Sequence, residues 1–103
     1  MNQALDNFLG LVRPSGKLTF GFDSLKKIKA ERVKLIVVIS SASEKTKLAI
    51  DEYASFNHIE VIAIAPTSVP RLVDGKNLAV FSVLDANMAS KIKKLVKEGD
   101  TYE

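Results

Sequence analysis

The sequence predicts an α/β fold: a three-layer α/β/α sandwich, with helices on both faces of a four-stranded mixed sheet. Two observations carry this prediction. Helical stripes and short apolar segments alternate through nine elements, and no linker, repeat or low-complexity tract interrupts them. The composition, 47% hydrophobic and 26% charged, is that of a globular protein. At 103 residues, we expect one domain over residues 1–103, with residues 100–103 frayed.

The first half of the chain predicts two helices, each followed by a strand. Apolar residues at i, i+3, i+4 and i+7 mark the first helix: Leu5, Phe8, Leu9 and Val12. The Pro-Ser-Gly sequence at 14–16 ends that helix, and residues 17–20 have room for a short strand. Asp23 offers an N-cap for the second helix. The apolar, β-branched run within residues 34–39 then predicts a strand covered on both faces.

The second half predicts three more helices and two strands. Ser41 and Glu44 have the spacing of a capping box at the start of the third helix. Buried strands are expected at 59–65 and 78–84. A Pro-Thr pair between them opens a short fourth helix that Gly75 ends. Asp85 caps the last helix, and Gly99 is expected just beyond its end.

Composition and motif spacing argue against an enzyme. The absence of cysteine excludes disulfides, thiolate metal sites and a cysteine nucleophile. The single histidine, His58, stands where a turn residue is expected. No nucleophile elbow surrounds the serines, and neither Gly-Lys pair has the spacing of a phosphate-binding loop. We therefore expect no catalytic residue, no cofactor and no metal.

The sequence does not predict a membrane segment or a leader. No apolar run exceeds five residues, whereas a membrane-spanning helix needs about 20. The first five residues lack the basic head and apolar body of a signal peptide. We expect a cytoplasmic protein.

Positive charge is concentrated in one stretch. Residues 13–34 contain two acids and seven bases: Arg13, Lys17, Lys26, Lys27, Lys29, Arg32 and Lys34. This stretch alone has a net charge of +5, although the whole chain has only +3. A concentrated basic field suits a polyanionic partner. The alternative interpretation is a solvated helix face.

The segment around Gly21 is the most informative candidate site. Gly21 directly precedes a predicted helix whose first turns contain Asp23, Ser24, Lys26 and Lys27. Free backbone N–H groups at a helix start donate to phosphate or base acceptors, and the lysines would neutralise a phosphate backbone. Alternatively, Gly21 is a turn residue, Asp23 is a cap and the lysines are a solvated face.

Short sequence matches in a fixed order extend along nearly the whole chain, about residues 4 to 97. They are Leu9-Gly10-Leu11, Gly16-Lys17-Leu18, Gly21, Val33-Lys34-Leu35, Ala42-Ser43, Thr46-Lys47, Gly75-Lys76, Asp85, Ala89 and Lys91. In this series the chain resembles the bacterial YlxQ-type proteins. These are small relatives of the ribosomal L-seven-Ae and L-thirty-e proteins, which bind kink-turn RNA.

The resemblance implies an L-thirty-e-like α/β/α fold that binds RNA through the start of the second helix and nearby loops. The kink-turn binders have a Gly-x-Asn-Glu-x-x-Lys motif, and Gly21, Asp23, Ser24 and Lys27 occupy its positions. Asp23 replaces the amide and Ser24 the carboxylate. A one-residue deletion would instead make Lys26 the equivalent lysine.

Together these observations predict a non-enzymatic, ribosomal-protein-like component of a ribonucleoprotein that recognises structured, kink-turn-type RNA. The candidate RNA-binding residues are Lys17, Gly21, Phe22, Asp23, Ser24, Lys26, Lys27, Ser41, Arg71, Gly75 and Lys76. We expect an RNA partner, with ribosome association possible, and no membrane. The alternative is a protein-interaction module that retains the fold but has lost specific RNA binding, an alternative suggested by the changes at Asp23, Ser24 and Ser41.

Overall fold

The computed structural model describes residues 2–73 and 78–100. Within them, helices and strands alternate in the predicted order. The helices are α1 (Gln3–Val12), α2 (Phe22–Lys26), α3 (Glu44–Asn57), α4 (Pro70–Val73) and α5 (Ala86–Asp100). The strands are β1 (Leu18–Phe20), β2 (Leu35–Ile39), β3 (Val61–Ile64) and β4 (Val80–Val83). Short 3-10 turns precede β1, β2 and α4.

The four strands form one mixed sheet in the order β1-β4-β2-β3. Strands β2 and β3 are parallel, whereas β4 is antiparallel to both β1 and β2. The carboxyl ends of β1, β2 and β3 therefore lie beside the amino end of β4. We call this end of the sheet the Gly21 end. The opposite end, where β1, β2 and β3 begin and β4 finishes, is the Lys17 end.

Helices cover both faces of the sheet, which confirms the predicted three layers. Leu35, Val37 and Ile39 face a core with residues of α1, α4 and α5. The alternate residues Ile36 and Val38 face a second core with residues of α2 and α3. All five β2 residues are buried, because side chains alternate between the faces of a strand and both faces are covered here.

The prediction of a buried third strand over 59–65 is wrong in both extent and burial. Strand β3 covers only Val61–Ile64, and of these residues only Ile64 is fully buried. The reason is position: β3 is an edge strand, paired with β2 on one side. Ala63 is exposed there.

Two predicted helix caps are wrong. Helix α2 starts at Phe22 with Gly21 in the N-cap position, so Asp23 lies in the first turn and makes no cap hydrogen bond. Helix α3 is capped by Ser43, whose Oγ accepts a 3.2 Å hydrogen bond from the Thr46 N–H. Ser41 therefore belongs to the preceding loop.

The start of α5 is as predicted and its end is not. The Asp85 carboxylate accepts a 2.9 Å hydrogen bond from the Met88 N–H. Gly99 lies inside the helix rather than beyond it. Its missing side chain makes room for Asn2, whose amide would collide with a Cβ at this position and donates to the Leu95 carbonyl.

Two other predictions at chain ends and turns lie partly outside the described residues. Gly75, predicted to end the fourth helix, and residues 101–103 are outside them. Within the described ranges, no helix combines the length and apolar character needed to cross a membrane.

Candidate nucleic-acid interface

Gly21 connects β1 to α2 with a backbone conformation that is essentially restricted to glycine. Its φ is 89° and its ψ is 155°, a region that other residues enter only under strain. Its N–H donates to the Val80 carbonyl at 2.9 Å, and its carbonyl accepts from the Leu25 N–H at 3.2 Å. A Cβ at Gly21 would meet no other heavy atom within 4 Å. The backbone is therefore fixed on the protein side and open on the outer side.

The first turn of α2 presents unused donors beside charged side chains. Within the described structure, the amides of Phe22, Asp23 and Ser24 have no acceptor. Lys26 folds back toward them, with its Nζ 3.7 Å from Asp23 Oδ1 and 5.0 Å from the Phe22 ring centroid. Lys27 follows at the exposed end of the helix. Both candidate lysines of the motif are thus solvent-accessible.

Phe22 has a packing role in this structure. Its half-buried ring meets Tyr53 of α3 edge-on, with centroids 6.1 Å apart and planes at 88°. Edge-to-face contact is a favourable aromatic geometry. The pair joins α2 to α3 and helps to fix the position of Gly21.

The sheet brings Ser41 to the same end as Gly21, although the two are 20 positions apart. A turn follows β2 directly and begins with Ser40, whose N–H donates to the Ile64 carbonyl at 2.8 Å. The loop that follows forms one wall of a cleft of about 220 Å³. The cleft is lined by Ser41, Ala42, Ser43, Leu78 and Ala79. Of these lining residues, the sequence predicted only Ser41 as a site residue. The sequence signal for Ser43 as the cap of α3 was Thr46, three residues later.

Arg71 lies on α4, which follows the carboxyl end of β3. Its Nε is 3.5 Å from Oδ2 of Asp6, and its backbone N–H donates to Oδ1 of the same carboxylate at 3.2 Å. Asp6 is 3% exposed, whereas the Arg71 side chain is 70% exposed. Sequence reasoning missed Asp6, which lies on the buried stripe of α1. This ion pair joins α1 to α4 and leaves much of the guanidinium accessible.

Lys17 is separated from the other candidates. Its carbonyl accepts a 2.8 Å hydrogen bond from the Leu84 N–H, at the carboxyl end of β4. Gly21 is four positions after Lys17 along the extended chain of β1, a span of roughly 13 Å. Lys17 therefore lies at the opposite end of the sheet from Gly21. The remaining candidates, Gly75 and Lys76, lie outside the described residues.

The fold of this chain is similar to that of another solved structure. It matches a solved structure of a protein with unknown function from Bacillus halodurans C with a TM-score of 0.77. That match covers 94% of this chain and 99% of the other, at 22% identity, and it establishes the fold.

At the level of sequence, the chain is similar to the RNA-binding protein YlxQ of Enterococcus faecium. The two are 28% identical over 92 residues, which are 88% of this chain and 89% of the relative. This similarity confirms the predicted resemblance to YlxQ-type proteins. No family model matches the sequence.

Proposed function

We propose that this protein binds structured RNA of the kink-turn type, without catalysis, through the Gly21 end of its sheet. The observation that carries the proposal is the placement of Ser41 at the same end of the fold as Gly21, Asp23 and Ser24, which are distant from it in sequence. The similarity to a protein named as RNA-binding supports the same conclusion.

The chemistry of this end suits RNA. Gly21 lets the RNA approach the backbone, and the free amides of residues 22–24 donate to phosphate or base acceptors. The carboxylate of Asp23 accepts hydrogen bonds and does not donate them, so it selects base groups that donate. Lys26 and Lys27 neutralise phosphates, which hold the RNA in register. Arg71 adds a guanidinium toward the same end of the molecule.

The proposal describes the chain as one RNA-binding domain of a ribonucleoprotein, similar to a ribosomal protein. Two layers of helices share one sheet, which supports a single unit. Gly75 and Lys76 enter through the family resemblance, as further contacts with the RNA. An RNA partner and a cysteine-free sequence fit the predicted cytoplasmic setting.

A second candidate is a protein-interaction module. The observation that favours it lies on α3, where Leu48 is 60% exposed and Phe56 is 84% exposed. The two side chains are about two helical turns apart on α3, and exposed apolar patches are typical of protein-contact sites. In this account the substituted motif at Asp23 and Ser24 no longer selects RNA.

Titration against two labelled RNAs, a kink-turn and an unkinked duplex of equal length, separates the two functions. We expect tighter binding to the kink-turn. Asp23→Asn should strengthen this binding, because it restores a donor and removes a negative charge beside the phosphates. Asp51→Asn, the same change at an exposed position of α3, should leave the preference unaltered.

The contrary outcome is equally specific. If the wild-type protein does not distinguish the two RNAs and Asp23→Asn creates no preference, the kink-turn proposal is wrong. The interaction-module function is then the better account.

A further inference from the structure

The Lys17 end of the sheet carries a basic cluster of its own. Leu18 of β1 and Leu35 of β2 are both in register with Val83 of β4. Lys17 and Lys34, each one residue earlier, therefore lie on either side of β4 at the same level. Two strand spacings separate them, about 10 Å between Cα atoms.

Two more cations reach the same end through the turn before β2. The Arg32 N–H donates to the Lys29 carbonyl at 2.9 Å, so both residues belong to the tight turn that leads into Lys34. All four side chains are exposed. We call Lys17, Lys29, Arg32 and Lys34 the basic cluster; Glu31 is the acid within its turn.

Among the described residues, the cations of this cluster have no carboxylate partner. Within the described residues, Lys17, Lys29 and Arg32 form no ion pair. Lys34 Nζ contacts the Glu31 backbone carbonyl at 3.2 Å rather than a carboxylate. Near Gly21, by contrast, Lys26 is paired with Asp23.

The spacing of the cluster indicates the form of its ligand. The cations are spread along the Lys17 end of the sheet instead of converging on one point, so a single small anion would contact few of them. A chain of phosphates satisfies several at once, and each contact releases counterions.

We propose that the basic cluster binds the phosphate backbone of a second segment of the same RNA, so that the RNA runs from one end of the sheet to the other. This inference rests on the proposed function at the Gly21 end. The two ends are separated by roughly 13 Å of extended strand, and the molecule measures 33 × 28 × 24 Å. An RNA must therefore have a stem beyond the kink to reach both ends.

The test uses two labelled kink-turn RNAs, one with minimal stems and one with both stems lengthened by about one helical turn. Affinity is measured at several salt concentrations for three proteins: wild type, Lys17→Gln/Lys34→Gln, and Lys45→Gln/Lys91→Gln. Lys45 and Lys91 are also exposed and without an ion pair in the described structure. They lie on the outer surfaces of α3 and α5, which makes the second variant a matched control for charge.

We expect the long RNA to bind the wild type more tightly and with a steeper salt dependence than the short RNA. Lys17→Gln/Lys34→Gln should flatten the slope for the long RNA by about 1.4–1.8, the value for two phosphate contacts. With curves that converge near 1 M salt, affinity at about 0.1 M then falls on the order of 30-fold. The short RNA should bind this variant as it binds the control.

Two results overturn the inference. One is a wild-type protein that binds the long and short RNAs with the same slope. The other is a Lys17→Gln/Lys34→Gln variant that matches the control on the long RNA, with Lys29→Gln/Arg32→Gln giving the same result. In either case a retained preference for the kink-turn over the duplex leaves the proposed function intact. Failure of that function would remove the preference itself.

Discussion

Gly21 is the residue on which the geometry of the candidate interface depends most. Both Gly16 and Gly21 have positive φ, 79° and 89°. Gly16, with ψ of 5°, is in the left-handed helical region, which other residues enter at a cost of about 1–2 kcal/mol. Gly21, with ψ of 155°, is in a region essentially reserved for glycine. The two positions therefore differ in strain and in location.

Substitution of Gly21 tests this difference. We expect Gly21→Ala to lower the free energy of unfolding by about 1–3 kcal/mol and to abolish the preference for kink-turn RNA. The salt slope should remain, because no charge is removed. Urea denaturation and RNA titration measure the two effects. Gly16→Ala should keep the preference, and equal losses in both variants would contradict a specific role for Gly21.

Ser82 presents a different residue-scale problem. It is fully buried in β4, opposite Thr19 of β1. Among the described residues neither side-chain hydroxyl has a hydrogen-bond partner. Burying an unpaired hydroxyl costs about 1–3 kcal/mol.

We therefore expect Ser82→Ala to keep or raise the free energy of unfolding, by up to about 1 kcal/mol. The gain comes from removing a desolvated group, partly offset by lost packing. Thermal and urea unfolding of the variant provide the measurement. A loss greater than about 1 kcal/mol would show that the hydroxyl is hydrogen-bonded in solution.

At the scale of elements, the cap of α3 yields the sharpest test. Ser43 Oγ accepts from the Thr46 N–H, whereas Ser41 lies in the loop. Ser43→Ala should lower the free energy of unfolding by about 1 kcal/mol. Ser41→Ala should change it by less than about 0.5 kcal/mol. The reverse order in urea unfolding would restore Ser41 as the cap.

Sequence periodicity predicts which elements exist better than where they begin. The α1 stripe and the β-branched run of β2 each match an element of the structure, because burial imposes a period on the sequence. The predicted caps at Asp23 and Ser41 are each misplaced by two positions. For Ser41 the reason is tertiary: the Ser40 N–H donates to Ile64 of β3, and the Ala42 N–H closes a turn on the Ile39 carbonyl, so α3 begins only beyond this turn. Several short polar residues near a helix start can each satisfy the sequence pattern of an N-cap.

Strand order also lies beyond local pattern. The apolar run that includes Val61 and Ile62 looks like that of a central strand, but β3 is at the edge of the sheet. Pairing partners are chosen by the whole fold, so a short apolar run does not distinguish the two positions.

At the scale of the whole molecule, the fold divides a continuous basic stretch between two surfaces. The sequence correctly places positive charge within residues 13–34. Lys17 and Gly21 flank β1 and therefore lie at its opposite ends, but the sequence does not show the antiparallel register of β4 with β1 and β2. The same register brings Lys17 and Lys34 to the same end of the sheet. Candidate residues that are close in sequence are thus separated, and distant ones such as Gly21 and Ser41 are brought to one end.

Amide chemical-shift mapping with a minimal-stem kink-turn RNA tests the central claim most directly. We expect the largest changes at residues 21–24 and 41–43, with the buried Ile92 of α5 serving as an internal control that does not respond. Lengthening the stems should extend the changes to Lys17 and Lys34. Changes confined to α3 around Leu48 and Phe56, with residues 21–24 unaffected, would contradict RNA binding at the Gly21 end.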